Sequence, residues 1–478
     1  MGSKNLERRE LVGEIWRALL QSRHVLLSAP PAYGKTSLIQ LIKQQCCQPG
    51  ISIERVSLLD PSRTAREIVL DATGIDIMQG LLPVSGEKYV IIALDEAQQK
   101  YDDLDFWHAL IKNLPQANIT GTQFRFLISA TDYIRGTFAG SSPASFGPIP
   151  RFDRERLRLT DIEAAEVYDM HIRPHLCMPS VRSIILNSAG GHIGVIRLST
   201  MSLNWQFKIK APSVTEVMQD VFSKRFLPTL DRCFGSITSL PVEVADKLRQ
   251  QLLMPAMQSL DVDSKPIKAL MRCGYLTNGD DGLAFASLIA KRFACALLFP
   301  GRASLDAAPE TLSDLICAVM TGMSANLIDT ISSPDGRFPV ETAWQHLFMA
   351  RLAEKLPPSV TFVPELARYF PHTDEEARKI PGSVDLYVNG SLRWGIELVI
   401  NGDRLGEHLE LFEPSGKYAP LDLRDYRTVD IRYGNPTRVE RHKHRTTVWF
   451  PKATAGNPRV CLIQDGVNQD IPSFNLPL

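Results

Sequence analysis

Residues 29–36 read APPAYGKT, and these residue types at this spacing suit the binding of phosphate groups. A phosphate-binding loop aims backbone N–H groups at anionic oxygens where a strand turns into a helix. Gly34 would let the backbone approach the phosphates, Lys35 would reach the β- and γ-phosphates, and Thr36 would ligate Mg²⁺. Ala29 stands where such a loop usually has its first glycine, at a sharp turn that accepts a small residue. The predicted nucleotide-binding residues of the loop are Ala29, Pro30, Pro31, Ala32, Tyr33, Gly34, Lys35, Thr36 and Ser37.

Two adjacent acids end the apolar run YVIIALDE at residues 89–96. Asp95 would hold Mg²⁺ beside Thr36, and Glu96 would polarise the attacking water, as acids do in phosphoryl transfer. The alternative interpretation is a helix N-terminus whose first turn happens to be acidic. Because the loop and the acids occur together, the sequence predicts that the chain binds ATP with Mg²⁺ and hydrolyses the ATP.

Other polar residues could complete this site. Thr131 or Ser129, at the end of the next apolar run, could contact water or the γ-phosphate. His192, in AGGHIGVIR, either lies near the nucleotide or is a histidine at a helix start whose hydrogen bonds are already satisfied. Four arginines are candidates for an arginine finger, and the sequence does not choose among them: Arg135, Arg151, Arg154 and Arg197.

A second group of acids lies in the last third of the chain. Asp385 and Glu397 occupy two apolar runs joined by NGSLR, so the register of a hairpin could bring them to one point. Glu341 and Gln345 are four positions apart in a helix-like stretch and therefore share a face. Three acids that converge from a helix and a hairpin offer the oxygen ligands that Mg²⁺ prefers. A metal held there could activate water and stabilise displacement at phosphorus.

The overall charge argues neither for nor against a nucleic-acid partner. The 478 residues include 53 Lys and Arg and 53 Asp and Glu, so the net charge is zero and any electrostatic attraction must be local. Residues 438–445, RVERHKHR, form such a local basic cluster and could contact phosphates. A solvated charged turn is an equally good interpretation of that cluster.

The cysteines and the N-terminus indicate where the chain is found. Its eight cysteines are scattered, without a CxxC pair or a histidine at metal-ligand spacing, which is typical of reduced thiols in an intracellular protein without a zinc site. The N-terminus shows no secretion signal, and no apolar run is long enough to cross a membrane. We therefore expect a location in the cytoplasm or the nucleus.

The order of apolar runs predicts a multidomain α/β protein. Short strand-like runs alternate with helix-like stretches up to about residue 205, which favours a parallel sheet. A mainly helical stretch follows and closes with a hairpin around NGDDG, which suggests a winged-helix-like module. From residue 359 the pattern is that of strands. The predicted domains are 8–205 for the ATPase, 206–330 for the helical and winged-helix-like region, and 331–478 for an α+β domain.

The N-terminal half of the chain resembles the STAND branch of AAA-like P-loop ATPases. The resemblance rests on SAPPAYGKTSL, IIALDEAQ and GGHIG and covers roughly residues 8–300. In that branch the last motif usually has proline where this chain has Ile193. The resemblance implies a conformational switch driven by the nucleotide, and we further expect nucleotide-dependent homo-oligomers.

The C-terminal region resembles the PD-(D/E)xK restriction-endonuclease-like fold, in the version found in Crinkler-type proteins. The resemblance rests on ETAWQHLFMARL, VDLYV…RWGIELV, GDRLGEH and GKY, and with the ATPase motifs it covers nearly the whole chain. It implies a Mg²⁺-dependent nuclease that acts on nuclear DNA. The site residues that it implies are the metal acids Asp385 and Glu397, the helix acid Glu341, and the supporting groups His408 and Lys417.

The chain departs from that family at three positions. Val399 stands where the motif has its lysine, and Ile400 and Leu411 stand where related sequences tend to have arginine. Lys417 is the candidate replacement for the lysine, whose role is to hold the attacking water or the phosphate. Three functions therefore remain open: an ATP-gated nuclease, a STAND-type ATPase whose inactive nuclease-like domain binds nucleic acid, and a regulatory ATPase whose C-terminal domain contacts protein.

Overall fold

The computed structural model describes most of the chain. The residues described are 6–79, 88–113, 122–131, 149–212, 214–222, 225–234, 241–253, 264–279, 282–298, 309–323, 341–356, 360, 362–364, 384–388, 392–416, 418–419, 423–434, 442–450, 460–465 and 470–475. The α-helices are α1 Arg9–Gln21, α2 Lys35–Cys46, α3 Ala65–Thr73, α4 Leu104–His108, α5 Arg154–Leu157, α6 Asp161–His171, α7 Pro179–Ala189, α8 Ile193–Gln206, α9 Val214–Val221, α10 Val242–Leu253, α11 Lys265–Arg272, α12 Leu288–Leu298, α13 Leu312–Thr321, α14 Glu341–Lys355 and α15 Leu405–Glu410. The strands are β1 His24–Ser28, β2 Ile51–Ser57, β3 Tyr89–Asp95, β4 Gln123–Ala130, β5 Arg151–Phe152, β6 Leu276–Gly279, β7 Gly282–Phe285, β8 Phe362–Pro364, β9 Leu386–Val388, β10 Trp394–Ile400, β11 Asp425–Tyr433, β12 Arg445–Phe450, β13 Val460–Asp465 and β14 Asp470–Asn475.

The first sheet confirms the predicted parallel α/β core. Its strand order is β2-β3-β4-β1-β5, and every pairing in it is parallel. Its strands are almost continuously apolar because both faces are covered. Ile92 and Phe126 pack on the face that α3 and α4 cover, whereas Ile91 and Leu127 pack on the face that α1 and α2 cover. The carboxyl ends of β1, β3 and β4 meet at one edge, where open parallel sheets bind their ligands.

Local sequence signals set the starts of several helices. Thr64 and Glu67 form a capping box at the start of α3, and Thr160 and Glu163 form another at the start of α6. The helix α8 starts differently, because the ring of His192 accepts a hydrogen bond from the backbone of its first turn. That helix contacts the loop that follows β1, because the N–H of Gly194 donates to the carbonyl oxygen of Ala32.

The middle of the chain is helical and contains the hairpin that NGDDG predicts. Strand β6 pairs with β7 in the antiparallel sense, with α11 before them and α12 after them. Whether this region is a winged helix stays a prediction. Among the described residues, no helix is both long and apolar enough to cross a membrane.

A second, mixed sheet contains the C-terminal strands. Its order is β14-β13-β12-β11-β10-β9-β8, in which β10, β11 and β12 run parallel and the outer pairings are antiparallel. Helix α14 packs on one face, where the ring of Trp344 lies 4.8 Å from that of Phe450. Strand β14 lies at one edge of this sheet. Its sequence, DIPSFN, lacks an apolar run and contains a proline, as an edge strand can.

The helical region and the second sheet share one hydrophobic core. A single cluster of buried side chains extends from Leu159, within the predicted ATPase region, through the helical region to Ile463 in the second sheet. Helix α14 contacts α10, α12 and α13 as well as the sheet. The boundaries at 205 and 330 stay predictions.

Candidate functional site

The loop between β1 and α2 has the backbone shape that phosphate binding needs. Gly34 precedes the first residue of α2 with φ +79°, and Ala32 has φ +59°, both in the left-handed region. The first N–H groups of a helix have no partner within the helix, so those of α2 point out of the helix end toward the loop. Ile193 lies against Gly34, where an added Cβ would sit 3.5 Å from its side chain.

The loop residues differ in exposure in a way that fits their predicted roles. Ala29 and Tyr33 are buried, as is Pro30, whereas Ser37 is exposed on the first turn of α2. Lys35 is buried, and its Nζ donates to the carbonyl oxygens of Ala29 at 2.7 Å and of Pro30 at 3.0 Å. The ammonium group thus lies inside the curve of the loop, where the phosphates of a nucleotide would also lie.

The structure brings Thr36 and Asp95 together. The hydroxyl of Thr36 donates to Oδ2 of Asp95 at 2.8 Å, and the hydroxyl of Ser129 donates to Oδ1 at 2.9 Å. Asp95 is only 1% exposed. Of the two hydroxyls that the sequence offered at the end of β4, Ser129 therefore contacts the acid, whereas the backbone N–H of Thr131 donates to Gln98 at 3.0 Å.

These two groups fit a Mg²⁺ ion in type and number. Mg²⁺ usually binds through one or two protein oxygens together with substrate phosphates and waters. Thr36 and Asp95 supply one hydroxyl and one carboxylate at the mouth of the loop. Their 2.8 Å separation is the distance of a hydrogen bond that a shared cation would replace.

Arg55 is a residue of this site that the sequence analysis missed. Its Nε and Nη2 donate to Oδ2 of Asp95 at 3.0 and 2.8 Å, so a guanidinium group covers the predicted magnesium acid. The available signal was the charged pair Glu54 and Arg55 inside an otherwise apolar strand, ISIERVS. Only the register between β2 and β3 shows that one of them reaches the acid.

Glu96 lies beside Asp95 in an unusual backbone conformation. Its φ of +57° is left-handed, which is uncommon for a residue other than glycine and is often found at functional sites. Its carboxylate accepts a hydrogen bond from the side-chain amide of Gln98, and the other end of that amide binds the backbone of Thr131. Gln98 therefore fixes the position of the predicted water-polarising acid.

His192 lies at the start of α8 and also beside the loop, so the choice between its two interpretations stays open. Its Nδ1 accepts from the N–H of Val195 at 3.4 Å at the start of α8, and its ring lies 4.2 Å from the ring of Tyr33 in the loop. Burial lowers the pKa of His192 to about 3, and the positive charges of Arg154 and Lys35 act in the same direction. The imidazole is therefore neutral at pH 7 and contacts the loop through Tyr33.

The same helix start binds the loop through its backbone. The N–H of Gly194 donates to the carbonyl oxygen of Ala32 at 3.0 Å. An added Cβ at Gly194 would lie 2.5 Å from the Cβ of Ala32, so only glycine permits this approach. The predicted GGHIG motif thus contacts the phosphate loop directly.

The arginine-finger candidates take different positions. Arg151 donates to Ser28 at 2.7 Å, and Arg154 donates to the hydroxyl of Tyr33 at 2.9 Å and to the carbonyl oxygen of Leu276 at 2.7 Å. Arg197 is exposed on α8. Arg135 lies outside the described residues, so the choice of a finger stays open.

The second predicted site also comes together in the structure. Asp385 directly precedes β9, which pairs antiparallel with β10, the strand that carries Glu397. The N–H of Asp385 donates to Oε2 of Glu397 at 3.3 Å, and the N–H of Leu398 donates to Oδ2 of Asp385 at 2.7 Å. The hairpin thus places both acids at one point, as its sequence suggested.

The helix acid reaches this point through an amide. Gln345 on α14 donates to Oδ1 of Asp385 at 2.8 Å and to Oε1 of Glu341 at 3.1 Å. His408 on α15 lies 3.0 Å from Oε1 of Glu397 through its Nδ1. Lys417, the predicted replacement for the motif lysine, lies outside the described residues.

The electrostatics of the second site favour a proton on Asp385. Burial, and then the neighbouring charge of Glu397, raise the pKa of Asp385 well above its usual range, and burial also raises the pKa of Glu341. Carboxylates suit Mg²⁺ in type. In the described part of the chain, however, no three His, Cys, Asp or Glu side chains are placed so that they could hold a metal ion. The acids are arranged to share hydrogen bonds rather than to surround a cation.

The predicted basic cluster is only partly at the surface. Arg445, its last residue, is buried and pairs with Asp430, which also binds Arg432 at 2.7 Å. His442 and Lys443 are exposed, and residues 438–441 lie outside the described residues. Arg445 therefore belongs to the interior of the sheet and does not contribute to a phosphate-binding surface.

Comparisons with known proteins add little to this geometry. A scan against protein-family models found no match, and a search of the curated proteins found none either. Among solved structures, the Walker-type ATPase PABY2304 of Pyrococcus abyssi is similar at 12% identity over 61% of this chain and 96% of its own, with a TM-score of 0.39. A mutant of RuvB from Thermotoga maritima is similar at 15% identity over 58% and 91%, with a TM-score of 0.31. The PCH-2 protein of C. elegans is similar at 11% identity over 45% and 66%, with a TM-score of 0.27.

TM-scores this low carry no argument, so the assignment of the first region rests on its own structure. The parallel sheet, the loop that leads into α2 and the acid at the end of β3 form the architecture of a P-loop nucleotide-binding domain.

Proposed function

We propose that the chain binds ATP with Mg²⁺ at the loop of residues 29–37 and hydrolyses it, and that this reaction drives a conformational switch. The hydrogen bond between Thr36 and Asp95 carries the proposal. It joins the first turn of the helix after the loop to the acid that ends a strand two places away in the sheet. A chance GKT match would not place a buried acid at that hydroxyl.

Each residue then has a role that its position supports. Lys35 exchanges its bonds to the loop carbonyls for the phosphates, and the N–H groups at the start of α2 bind the same oxygens. Thr36 and Asp95 would hold Mg²⁺, which supplies positive charge to the β- and γ-phosphates. Glu96, held by Gln98, orients the attacking water and accepts its proton.

Binding of a fluorescent ATP analogue tests the proposal. We expect Lys35→Ala to weaken binding by about 30- to 100-fold, because a charge-assisted contact to phosphate is lost. Lys43→Ala is the matched control, since Lys43 lies on the same helix and its side chain is exposed. Glu96→Gln should keep binding and lose hydrolysis. Equal binding by the wild type and Lys35→Ala would contradict the proposal.

We further propose that the C-terminal acids form a Mg²⁺-dependent, DNA-cleaving site that the ATPase controls. The convergence of Asp385, Glu397 and Gln345 supports this proposal, as does the resemblance to Crinkler-type nucleases. The alternative is an inactive, nuclease-like domain that only binds nucleic acid or protein. The raised pKa of Asp385 and the apolar residue Val399 at the lysine position support that alternative.

Cleavage of supercoiled and linear DNA with Mg²⁺ or Mn²⁺, with and without ATP, decides between them. Asp385→Asn and Glu397→Gln should abolish cleavage, whereas Asp403→Asn, which changes an exposed acid in the turn after β10, should not. Cleavage that needs ATP and is lost in Lys35→Ala would connect the two sites. DNA binding without cleavage would support the inactive form, and light scattering with and without ATP would measure the expected oligomer.

A further inference from the structure

Oδ2 of Asp95 is fully engaged before any ligand arrives. It accepts hydrogen bonds from Nε and Nη2 of Arg55 and from the hydroxyl of Thr36. A carboxylate oxygen has about two lone-pair directions, so three donors saturate it. Oδ1 is engaged as well, because it accepts from the hydroxyl of Ser129 and from the backbone N–H of Glu96 at 3.1 Å.

A cation can therefore reach this carboxylate only if a donor leaves it. Ser129 lies on the central strand β4 and is buried, and the N–H of Glu96 is part of the backbone, so neither can move away. When Thr36 becomes a ligand of the same cation, its bond to Oδ2 is lost, but the two donors of Arg55 still fill both lone-pair directions of that oxygen. Arg55 is the donor that can leave, because it lies on the edge strand β2 and its side chain is 37% exposed.

In the empty site, the positive charge of Arg55 stabilises the buried carboxylate of Asp95. Asp95 is 1% exposed, and a buried carboxylate without a partner is costly. A guanidinium group supplies the opposite charge where the divalent cation would later supply it. The guanidinium and the cation carry the same sign and compete for the same oxygen.

We propose that Arg55 is an exchangeable counter-ion that holds Asp95 in the empty site and is displaced when Mg²⁺ binds with the nucleotide. The inference rests on the proposed function of the loop. The ion pair between Arg55 and Asp95 raises the Mg²⁺ concentration that nucleotide binding requires, because Mg²⁺ must displace Arg55 before it can bind Asp95. A purely structural ion pair between β2 and β3 would instead be kept in the bound state.

The binding of a fluorescent ADP analogue, measured as a function of Mg²⁺ concentration, separates these two cases. ADP has no γ-phosphate, so a contact between Arg55 and that group cannot affect the result. We expect Arg55→Gln to lower the half-saturating Mg²⁺ concentration by about three- to tenfold, since a charge-assisted bond no longer competes. Arg55→Lys keeps the charge but not the forked pair of donors, so its value should lie between the two.

Arg63→Gln is the matched control, because Arg63 follows the same strand and pairs with the exposed Asp71. It should behave as the wild type does. An unchanged or higher Mg²⁺ requirement in both Arg55 variants would overturn the inference. If the wild type binds no nucleotide at any Mg²⁺ concentration, the proposed function itself fails, and this outcome differs from the first.

Thermal unfolding supplies a second readout, which needs no fluorescent analogue and includes a comparison without any nucleotide. Without Mg²⁺ and nucleotide, Arg55→Gln should have a lower Tm than the wild type, and saturating Mg²⁺ with ADP should remove most of that difference. Asp95→Asn combined with Arg55→Gln covers the case in which Arg55→Gln folds poorly, because a neutral partner needs no counter-ion. That double variant should be more stable than Arg55→Gln alone, and a less stable one would contradict the exchange.

Discussion

The two acid sites of this chain have the same kind of residue in opposite surroundings. Asp95 is bonded to hydroxyls and to the guanidinium of Arg55. Asp385 lies against Glu397 and the amide of Gln345. Positive charges near the first site help to lower the pKa of His192, whereas negative charges near the second help to raise the pKa of Asp385.

This difference shows what each site can accept. A site with an excess of positive charge attracts the anionic phosphates of a nucleotide, and its own acid already accepts hydrogen bonds from Arg55, Thr36 and Ser129. A site with an excess of buried acids keeps a proton until a cation or a higher pH removes it. The residue type alone would have assigned both acids to the same task.

The largest expected effect comes from removing the charge of Asp95. Asp95→Asn leaves Arg55 and Thr36 without their ionised acceptor, so we expect nucleotide binding with Mg²⁺ to weaken by about 100-fold and the free energy of unfolding to fall by about 1–2 kcal/mol. Isothermal titration and urea unfolding measure the two quantities. If Asp95→Asn binds the nucleotide as the wild type does in the presence of Mg²⁺, Asp95 is not a metal ligand, and the contrast drawn between the two acid sites fails.

For Asp385, replacement by asparagine is expected to raise the free energy of unfolding rather than lower it. Its raised pKa means that the folded state holds a proton which the unfolded state releases, so stability falls as the pH rises from the unfolded pKa toward the folded one. Asp385→Asn avoids that loss and keeps an oxygen for the N–H of Leu398, and the amide of Gln345 then has to turn so that its oxygen accepts from the new amide group. We therefore expect the variant to be more stable than the wild type by about 1–2 kcal/mol at pH 8 and similar to it near pH 4.

Urea unfolding at the two pH values measures this change, and Asp403→Asn serves as the exposed control. Destabilisation of Asp385→Asn at both pH values would show that the acid is charged and paired in the fold, like Asp95. The two sites would then no longer differ in the way proposed above.

The sequence predicted the acids well because apolar runs define where strands end. APPAYGKT and YVIIALDE each follow or form a buried strand of the parallel sheet, so their polar ends had to meet at its carboxyl edge. The hairpin with Asp385 and Glu397 was predictable for the same reason, since its two runs flank a short turn. What a residue does at the end of its own strand follows from local pattern.

Contacts between strands were not predictable in this way. Arg55 reaches Asp95 only because β2 pairs with β3 in one particular register, which no local pattern encodes. Arg445 was assigned to a basic surface cluster, yet it begins β12 and pairs with the buried Asp430. In both cases a charged residue inside a strand found an acid on the neighbouring strand.

A smaller effect is expected from the buried histidine of the nucleotide site. The pKa of His192 is lowered to about 3, so the unfolded state takes up a proton that the folded state does not, and stability falls as the pH drops below about 6.5. The slope contributed by His192 approaches about 1.4 kcal/mol per pH unit and should vanish in His192→Gln. Unfolding between pH 6.5 and pH 5 measures this slope before most carboxylates titrate.

His24 provides the internal control for this experiment. Burial lowers its pKa to about 4, so His24→Gln should reduce the same slope. His24 begins β1 and binds the carbonyl oxygen of Leu110 at 2.9 Å, so it lies at the opposite end of that strand from the loop, whereas His192 packs on Tyr33. Only the His192 variant should therefore change nucleotide affinity as well. If both variants change the pH dependence of stability and neither changes nucleotide affinity, His192 acts on stability alone.

The smallest effect is expected from removing the hydroxyl of Tyr33, which connects the loop to Arg154. Arg154 donates to this hydroxyl and also to the carbonyl oxygen of Leu276 in the hairpin β6–β7. Tyr33→Phe removes the first bond and leaves the ring on His192, so we expect a loss of about 1 kcal/mol in stability.

If the switch runs from the loop to the hairpin through Arg154, ATP should also protect the amides of β6 and β7 from hydrogen exchange in the wild type and protect them less in Tyr33→Phe. Equal protection in both proteins would remove Arg154 from that connection and leave the contact between Gly194 and Ala32 as the link from the loop to the helices.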